Sequence, residues 1–182
     1  MSRIHTLAPE DLTYRQREVH DAIVSGPRGV VRGPLAVWLH RPELADRAQA
    51  LGRYCRYETT LEPRLSELAI LVTARIWSSE FEWQAHKKIG LEVGLDAIVV
   101  ETIRQGRRPH FTREDEAVIH DFSLALLTER RVTDELYSRA TAVLGEDRLV
   151  DLTGLLGYYS LISMTINVFE VAPLDPDRLE MG

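Results

Sequence analysis

The sequence contains a single cysteine, Cys55, among 182 residues. One cysteine excludes an internal disulfide, and it also excludes a Cys-x-x-Cys redox pair. The chain also has no glycine-rich phosphate-binding motif and no Gly-x-Ser-x-Gly nucleophile elbow. A dithiol oxidoreductase is therefore excluded, and no motif favours a nucleotide-binding protein or a serine hydrolase.

Basic residues are in the minority, with 22 lysines and arginines against 28 aspartates and glutamates, for a formal net charge of -6. The arginines are scattered and form no basic stripe, so we expect no nucleic-acid partner. The N-terminal residues, MSRIHTLAPEDL, lack the apolar segment of a secretory signal. A cytoplasmic protein is therefore expected.

One long stretch, from Leu152 to Phe169, has no charged residue. Its length reaches the lower edge of what a membrane-spanning helix needs. It contains several serine, threonine and asparagine residues, however, and Asp151 and Glu170 close it at its two ends. We therefore predict a helix buried in a core or between subunits, and no membrane span.

The hydrophobic pattern is helical almost throughout, and strand signals are nearly absent. A first helix is expected from about Pro9 to Ser25, and another from Pro42 with Leu44, Ala48 and Leu51 on one face. We predict an all-α, single-domain helical bundle of about eight helices over residues 1–173. Residues 174–182, which contain proline, are expected to form a flexible C-terminal tail.

The candidate chemistry lies in three ionisable residues. Glu82 and His86 are four residues apart, so they share one helix face, and that face continues into apolar or small residues. Glu67 lies in the most apolar helix of the first half of the chain. An antiparallel hairpin with its turn near Ser78 would bring Glu67 close to His86. A carboxylate beside an imidazole is an arrangement suited to proton transfer.

Structural interpretations of the same residues stay open. Glu82 and His86 could form an i, i+4 surface pair, and Glu67 could form a salt bridge with Arg64 or Arg75. A metal site would use Glu82, His86 and a remote ligand, but no second pair of that kind is visible, so no metal is expected.

The aromatic and hydroxyl residues near these positions are less informative. Trp83 is at a helical spacing that is more often found in cores or interfaces than in substrate platforms. Ser79 is a poor nucleophile candidate, because its only evident base is His86, seven residues away on the same helix. Tyr158 and Tyr159 are adjacent and face different directions, so one of them could reach a pocket.

Several short motifs together resemble the carboxymuconolactone decarboxylase and alkyl hydroperoxidase D-like family. They are the run Arg64 to Leu71, then Trp77, Glu82-Trp83-x-x-His86, Gly90 and Gly94-Leu95. The resemblance covers most of the chain, from about Leu12 to Pro173. It implies an all-helical fold of the alkyl hydroperoxidase D-like type and assembly into a homotrimer or homohexamer.

The redox branch of that family uses a glutamate, a Cys-x-x-Cys pair and a histidine. The glutamate matches Glu67 and the histidine matches His86, whereas Ser79 and Glu82 occupy the two cysteine positions. Neither residue can form a disulfide or a sulfenic acid, so thiol peroxidase activity is not expected. The chain therefore resembles the branch that lacks the cysteine pair.

The decarboxylase branch works without cysteine, metal or organic cofactor. The resemblance thus implies a cofactor-free lyase, decarboxylase or isomerase acting on a small organic acid or lactone. In it, His86 would be the general acid/base, Glu67 would orient it or share its proton, and Glu82 would shape the pocket and tune its charge. The further candidate pocket residues are Ser79, Trp83, Arg75 and Tyr158, with Arg75 or Arg28 considered for a substrate carboxylate.

Two other functions stay open at this point. One is a non-catalytic helical oligomer that binds a small ligand or a protein partner, in which Glu67 and His86 matter at most for stability. The other is an antioxidant activity of the alkyl hydroperoxidase type through Cys55.

Overall fold

The structure, a computed structural model, describes residues 2–181. Within that range it contains nine α-helices and no strand, so the predicted all-α class is confirmed, with nine helices where about eight were expected. A 3-10 turn, Pro9–Asp11, precedes the first helix, and a short π-helix, Tyr54–Glu58, follows the third. The helices are α1 (Tyr14–Ser25), α2 (Pro34–Trp38), α3 (Pro42–Arg53), α4 (Pro63–Ile76), α5 (Glu80–Glu92), α6 (Ala97–Arg104), α7 (Glu114–Thr128), α8 (Asp134–Leu144) and α9 (Glu146–Phe169).

Helix α4 is the centre of the bundle. Pro63 occupies its first turn, where a missing N–H costs nothing, and no glycine interrupts it. Every residue from Arg64 to Ala74 is buried, and the helix packs against α5, α7 and α9. Burial of each large aliphatic side chain contributes about 1.5–3 kcal/mol, so this helix anchors the elements around it.

A tight turn joins α4 to α5. Ser78 adopts a left-handed conformation with φ of 49°, and the backbone N–H of Ser79 donates to the carbonyl of Ala74 at 2.8 Å. The two helices therefore run antiparallel as a hairpin, with the turn at the expected position near Ser78.

Helix α9 carries the uncharged stretch. It is long and apolar enough to span a membrane by length and composition, and no other helix within residues 2–181 is. However, 61% of its most apolar window is buried inside the fold. Its buried face packs on α2, α3 and α4, and Thr165 accepts a 2.9 Å hydrogen bond from the indole of Trp38. These contacts are those of a core helix.

Two local predictions are corrected. The first helix begins at Tyr14 and not at Pro9, because Thr13 and Gln16 form a capping box there. Helix α3 buries Ala45, Ala48 and Gly52, whereas Leu44 and Leu51 are about half exposed. A Cβ at Gly52 would lie 2.1 Å from the hydroxyl of Tyr158, so this face must be small to let α9 approach.

The C-terminal segment lies along α5. The backbone N–H of Asp175 donates to Gln84, and that of Glu180 donates to Glu80, both at 2.8 Å. The Glu180 carboxylate in turn accepts from the indole of Trp83 at 3.1 Å. The segment thus has a defined position on the bundle, while its flexibility stays a prediction.

Candidate active site

The three ionisable residues singled out in the sequence meet between α4 and α5. His86 Nδ1 lies 2.6 Å from Glu67 Oε2, and His86 Nε2 lies 3.2 Å from Glu82 Oε2. All three side chains are buried. The imidazole is therefore held between two carboxylates, and each of its ring nitrogens faces an acceptor.

This geometry follows from short-range features of the chain. The short α4–α5 turn places Glu67 opposite His86, and the i, i+4 spacing brings Glu82 to the same ring. Gly90 of α5 faces α4, since a Cβ there would make ordinary contacts with Leu71 Cδ1 at 3.4 Å and with the Cβ of Glu67 at 3.7 Å. The only tight contact of such a Cβ would be with the end of the Leu95 side chain, at 2.9 Å.

The two carboxylates set the charge of the histidine. Burial by itself lowers the pKa of His86, but the hydrogen bonds to Glu67 and Glu82 outweigh burial, and the pKa is raised. The imidazolium form, in which both ring nitrogens donate, is therefore favoured relative to that of an isolated histidine. The edge-on ring of Tyr159 lies 5.1 Å from the imidazole, and burial raises the pKa of this phenol well above its ordinary value. Tyr159 thus remains a neutral hydroxyl.

Glu82 and His86 open onto a cavity of about 260 Å³, which we call the His86 cavity. Glu67 lies behind the histidine and is not part of its wall. The remaining lining residues are three arginines (Arg28, Arg32 and Arg56), three aromatic residues (Tyr57, Phe81 and Tyr159), and Pro27, Val30, Pro34, Leu35, Ala85 and Ile162. Three cationic side chains against one glutamate make this wall suited to an anionic ligand.

Comparison with known proteins relates the fold, but not the sequence, to proteins of known structure. No protein-family model and no curated protein matches the chain. A peroxidase-related protein of Ralstonia eutropha, described as an alkylhydroperoxidase AhpD core, is similar with a TM-score of 0.76 and 16% identity, over 96% of this chain and 93% of that one. The fold is AhpD-like.

Two further solved structures agree. A peroxidase-related protein of a Silicibacter species matches with a TM-score of 0.76 and 12% identity, over 100% of this chain and 94% of that one. The debrominase Bmp8, in complex with 2,3,4-tribromopyrrole, matches with a TM-score of 0.74 and 11% identity, over 94% of this chain and 92% of that one. At such low identity these similarities establish the AhpD-like fold alone.

The structural interpretations of the three residues do not hold in this AhpD-like fold. Glu82 and His86 are buried, so they are not a surface pair. Arg64 bonds to Asp115 at 2.6 Å and also to Glu116, and Arg75 Nε donates to the Arg104 carbonyl, so neither arginine pairs with Glu67. Within residues 2–181, no group of three or more histidine, cysteine, aspartate or glutamate side chains is arranged to hold a metal ion.

Four predicted pocket residues lie outside the wall of the His86 cavity. Ser79 is fully buried at the start of α5, and its hydroxyl has no hydrogen-bond partner. Trp83 is turned toward the C-terminal segment, which it holds through Glu180. Arg75 lines a different cavity, beside α6 and α7.

The fourth of these residues, Tyr158, lies behind the wall. Its hydroxyl accepts a hydrogen bond from Arg28 Nη2 at 3.1 Å, so it supports an arginine that does line the cavity. The neighbouring Tyr159 faces the cavity instead. Arg28, which the sequence had suggested for a substrate carboxylate, therefore lines the His86 cavity. Arg75, the other arginine suggested for that role, lines a different cavity.

Several lining residues were missed, among them Arg56 and Tyr57. These two lie on the π-helix after α3, where one extra residue in the turn changes which side chains face inward. A hydrophobic pattern read over five residues does not reveal such a turn, so the sequence carried no signal for them.

Proposed function

We propose that this protein is a cofactor-free enzyme of the carboxymuconolactone decarboxylase type that lacks the cysteine pair. It acts by proton transfer on a small organic acid or lactone, as a decarboxylase or other lyase, or as an isomerase. The observation that carries the proposal is the His86 imidazole, held between Glu67 and Glu82 and opening onto a small cationic cavity.

In this proposal each of the three residues has a distinct role. Glu67, outside the wall, holds the Nδ1 proton and stabilises the imidazolium. His86 delivers the Nε2 proton, and Glu82 beside it in the wall holds that proton in place until substrate arrives. The favoured protonation state makes His86 a general acid in the resting protein.

A decarboxylation at this site conserves atoms, electrons and protons. The bond between the substrate carbon and its carboxylate breaks, carbon dioxide leaves, and the electron pair remains on the carbon. A conjugated lactone delocalises that pair, and the Nε2 proton of His86 then forms the new C–H bond. A proton from solvent restores the imidazolium, so no oxidant, reductant or metal is needed.

We further propose that the active protein is a homo-oligomer, a trimer or a hexamer. Helix α9 presents an exposed stripe at alternating spacings of four and three residues, which suits helix–helix packing. Its members are Val150, Gly154, Gly157, Leu161, Met164 and Val168. Light scattering of the purified protein, with Leu161→Glu as the variant expected to dissociate it, tests this assembly.

The thiol-based alternatives have little support. Cys55 is buried, and burial raises the pKa of its thiol, so the reactive thiolate is disfavoured. The cysteine also lies outside the wall of the His86 cavity. The peroxidase-related names and the debrominase activity of the structural neighbours therefore have no reactive thiol to support them in this chain.

The test is a screen of small unsaturated lactone and ring carboxylic acids, read by NMR in deuterated water. Carbon dioxide release, or deuterium incorporation at a carbon next to the unsaturation, is the expected result. His86→Gln, which keeps a polar side chain of similar size, should abolish it. If the wild-type protein processes such acids and His86→Gln does so equally fast, the proposal is wrong. If no acid reacts but ligands still bind, the non-catalytic oligomer takes its place.

A further inference from the structure

Arg56 is the most unusual residue of the His86 cavity. It is half-buried and lines the wall, yet within residues 2–181 it has no hydrogen-bond acceptor and no salt-bridge partner. Arg53, three residues earlier, is paired with Glu58 at 2.8 Å. Of the other two arginines of the wall, Arg28 donates to the Tyr158 hydroxyl, and Arg32 is exposed to solvent. A guanidinium carries five N–H donors, and those of Arg56 make no bond within the described fold, so a ligand in the cavity can take the place of the water around them.

The backbone that carries Arg56 is unusual as well. Residues Tyr54–Glu58 form a π-helix, a conformation that is rare and often found at functional sites. Asp151 of α9 holds both sides of this turn, since it accepts from the Tyr54 hydroxyl at 2.7 Å and from the Thr60 backbone N–H at 3.0 Å. The buried carboxylate of Asp151 thus fixes the π-helix, and Arg56, the cationic residue of this turn, faces the cavity.

The surroundings of Arg56 indicate the shape of its ligand. Its guanidinium lies over the ring of Tyr57 at 5.3 Å, and Tyr159 lines the same cavity. Flat aromatic surfaces favour a planar, unsaturated ligand, while the planar guanidinium fork matches the two oxygens of a carboxylate. The nearest carboxylates of the site, Glu67 and Glu82, are already bonded to His86, so they leave the fork free.

We propose that Arg56 binds the substrate carboxylate and determines specificity, and that the substrate is a planar, conjugated carboxylic acid. This rests on the proposed function, because it names the class of acid on which the same site acts. Arg56 holds one end of the molecule through two parallel N–H···O bonds, and the unsaturated part lies toward Glu82 and His86. Arg28 and Arg32 add positive charge to the wall.

The test uses binding, so that it does not depend on turnover. Furan-2-carboxylate is the probe, with furan-2-carboxamide as its uncharged match and orthophosphate as a non-planar anion, all measured by calorimetry. The carboxylate is expected to bind at least about tenfold tighter than either of the others, which corresponds to about 1.4 kcal/mol. Equal binding of orthophosphate, equal binding of the amide, or no binding of the carboxylate would overturn the proposal.

Three variants locate the binding residue. Arg56→Met should weaken carboxylate binding about tenfold or more, and Arg56→Lys should recover only part of the loss, because an ammonium lacks the fork. Arg47→Met is the matched control, since Arg47 is an exposed arginine of α3 outside the cavity and should leave binding unchanged. Circular dichroism establishes that all three are folded. Carboxylate binding that survives Arg56→Met in a folded protein would also overturn the proposal.

Failure of this inference and failure of the proposed function give different results. With the substrate from the screen, Arg56→Lys should raise KM more than it lowers kcat. His86→Gln should lose turnover and keep furan-2-carboxylate binding. If Arg56-dependent binding is found and no acid is turned over, the carboxylate-binding site is supported and the proposed catalytic activity is rejected. If turnover depends on His86 but neutral lactones react as well as acids, the catalytic activity is supported and the role of Arg56 in binding a substrate carboxylate is rejected.

Discussion

Two groups of buried charges lie one turn apart on α4 and behave differently. In the first, Arg64 is bonded to Glu116 and Asp115 of α7. In the second, Glu67 is bonded to His86, which is bonded to Glu82. Both groups join α4 to a neighbouring helix.

The difference lies in what each group can exchange with a ligand. The guanidinium of Arg64 is always charged, it is paired with two carboxylates, and neither it nor Glu116 lines the His86 cavity. The second group contains a titratable imidazole, opens onto that cavity, and faces the unpaired Arg56. Burial and pairing are therefore not enough to mark a functional site. A proton that can move and a route for a ligand make the difference.

The largest effect is expected from a substitution of His86, the central residue of the second group. His86→Gln should lower kcat by about 100- to 10,000-fold, because the general acid is lost while the side chain remains polar. The measurement is the initial rate on the acid identified by screening. Glu116→Gln is the control in the first group and should change the rate less than about threefold. A comparable loss of rate in both variants would remove the distinction between the two groups.

A substitution of Arg64, the central residue of the first group, should affect stability and not ligand binding. Arg64→Met should lower the free energy of unfolding by about 3–5 kcal/mol, because it leaves the buried Glu116 carboxylate without its cation. Urea denaturation measures this loss. Furan-2-carboxylate binding below the unfolding transition should stay within about twofold of wild type. Loss of binding in the folded variant would mean that the two groups are coupled along α4.

The pH dependence of stability should also differ between the two groups. The pKa of His86 is raised in the folded state, so its stabilising contribution is complete below its unfolded pKa of about 6.5. That contribution is lost as the pH rises through the raised pKa. The difference in unfolding free energy between wild type and His86→Gln should therefore shrink as the pH rises above about 6.5, by about 1.4 kcal/mol per pH unit by which the pKa is raised.

The first group should show no such trend over the same range. Burial tends to raise the pKa of Asp115, but the hydrogen bond from Arg64 outweighs it, and the pKa is lowered. Its contribution is therefore lost only as the pH falls into the acid range. A constant difference between wild type and His86→Gln from about pH 6 to pH 9 would contradict the charged imidazole.

The smallest expected effect concerns Cys55, which belongs to neither group. Iodoacetamide should react slowly with the native protein, because the thiol is buried and its pKa is raised. Mass spectrometry follows the modification, and the rate on the identified acid should not change. Rapid alkylation with loss of that rate would return the thiol-based function to consideration.

Much of the site could be predicted because it depends on local geometry. The spacing of Glu82 and His86 places them on one helix face, and the turn at Ser78 leaves α4 and α5 no arrangement other than a hairpin. Glu67 then lies opposite His86 by counting back along the other helix. The choice between Tyr158 and Tyr159 was not predictable, because adjacent residues of α9 point about 100° apart and packing on α3 selects which one faces the cavity.

The sequence predicted the all-helical class, the shared helix face of Glu82 and His86, and, on the condition of a hairpin with its turn near Ser78, the approach of Glu67 to His86. These follow from periodicity, a short connection and one helical repeat, all of which act over a few residues. Only the tertiary structure decided which cations face the histidine. Arg56 comes from a π-helix that Asp151 holds against α9, and Arg28 comes from a loop that rests on Tyr158. Such placements depend on contacts between segments about a hundred residues apart, where no local pattern carries the information.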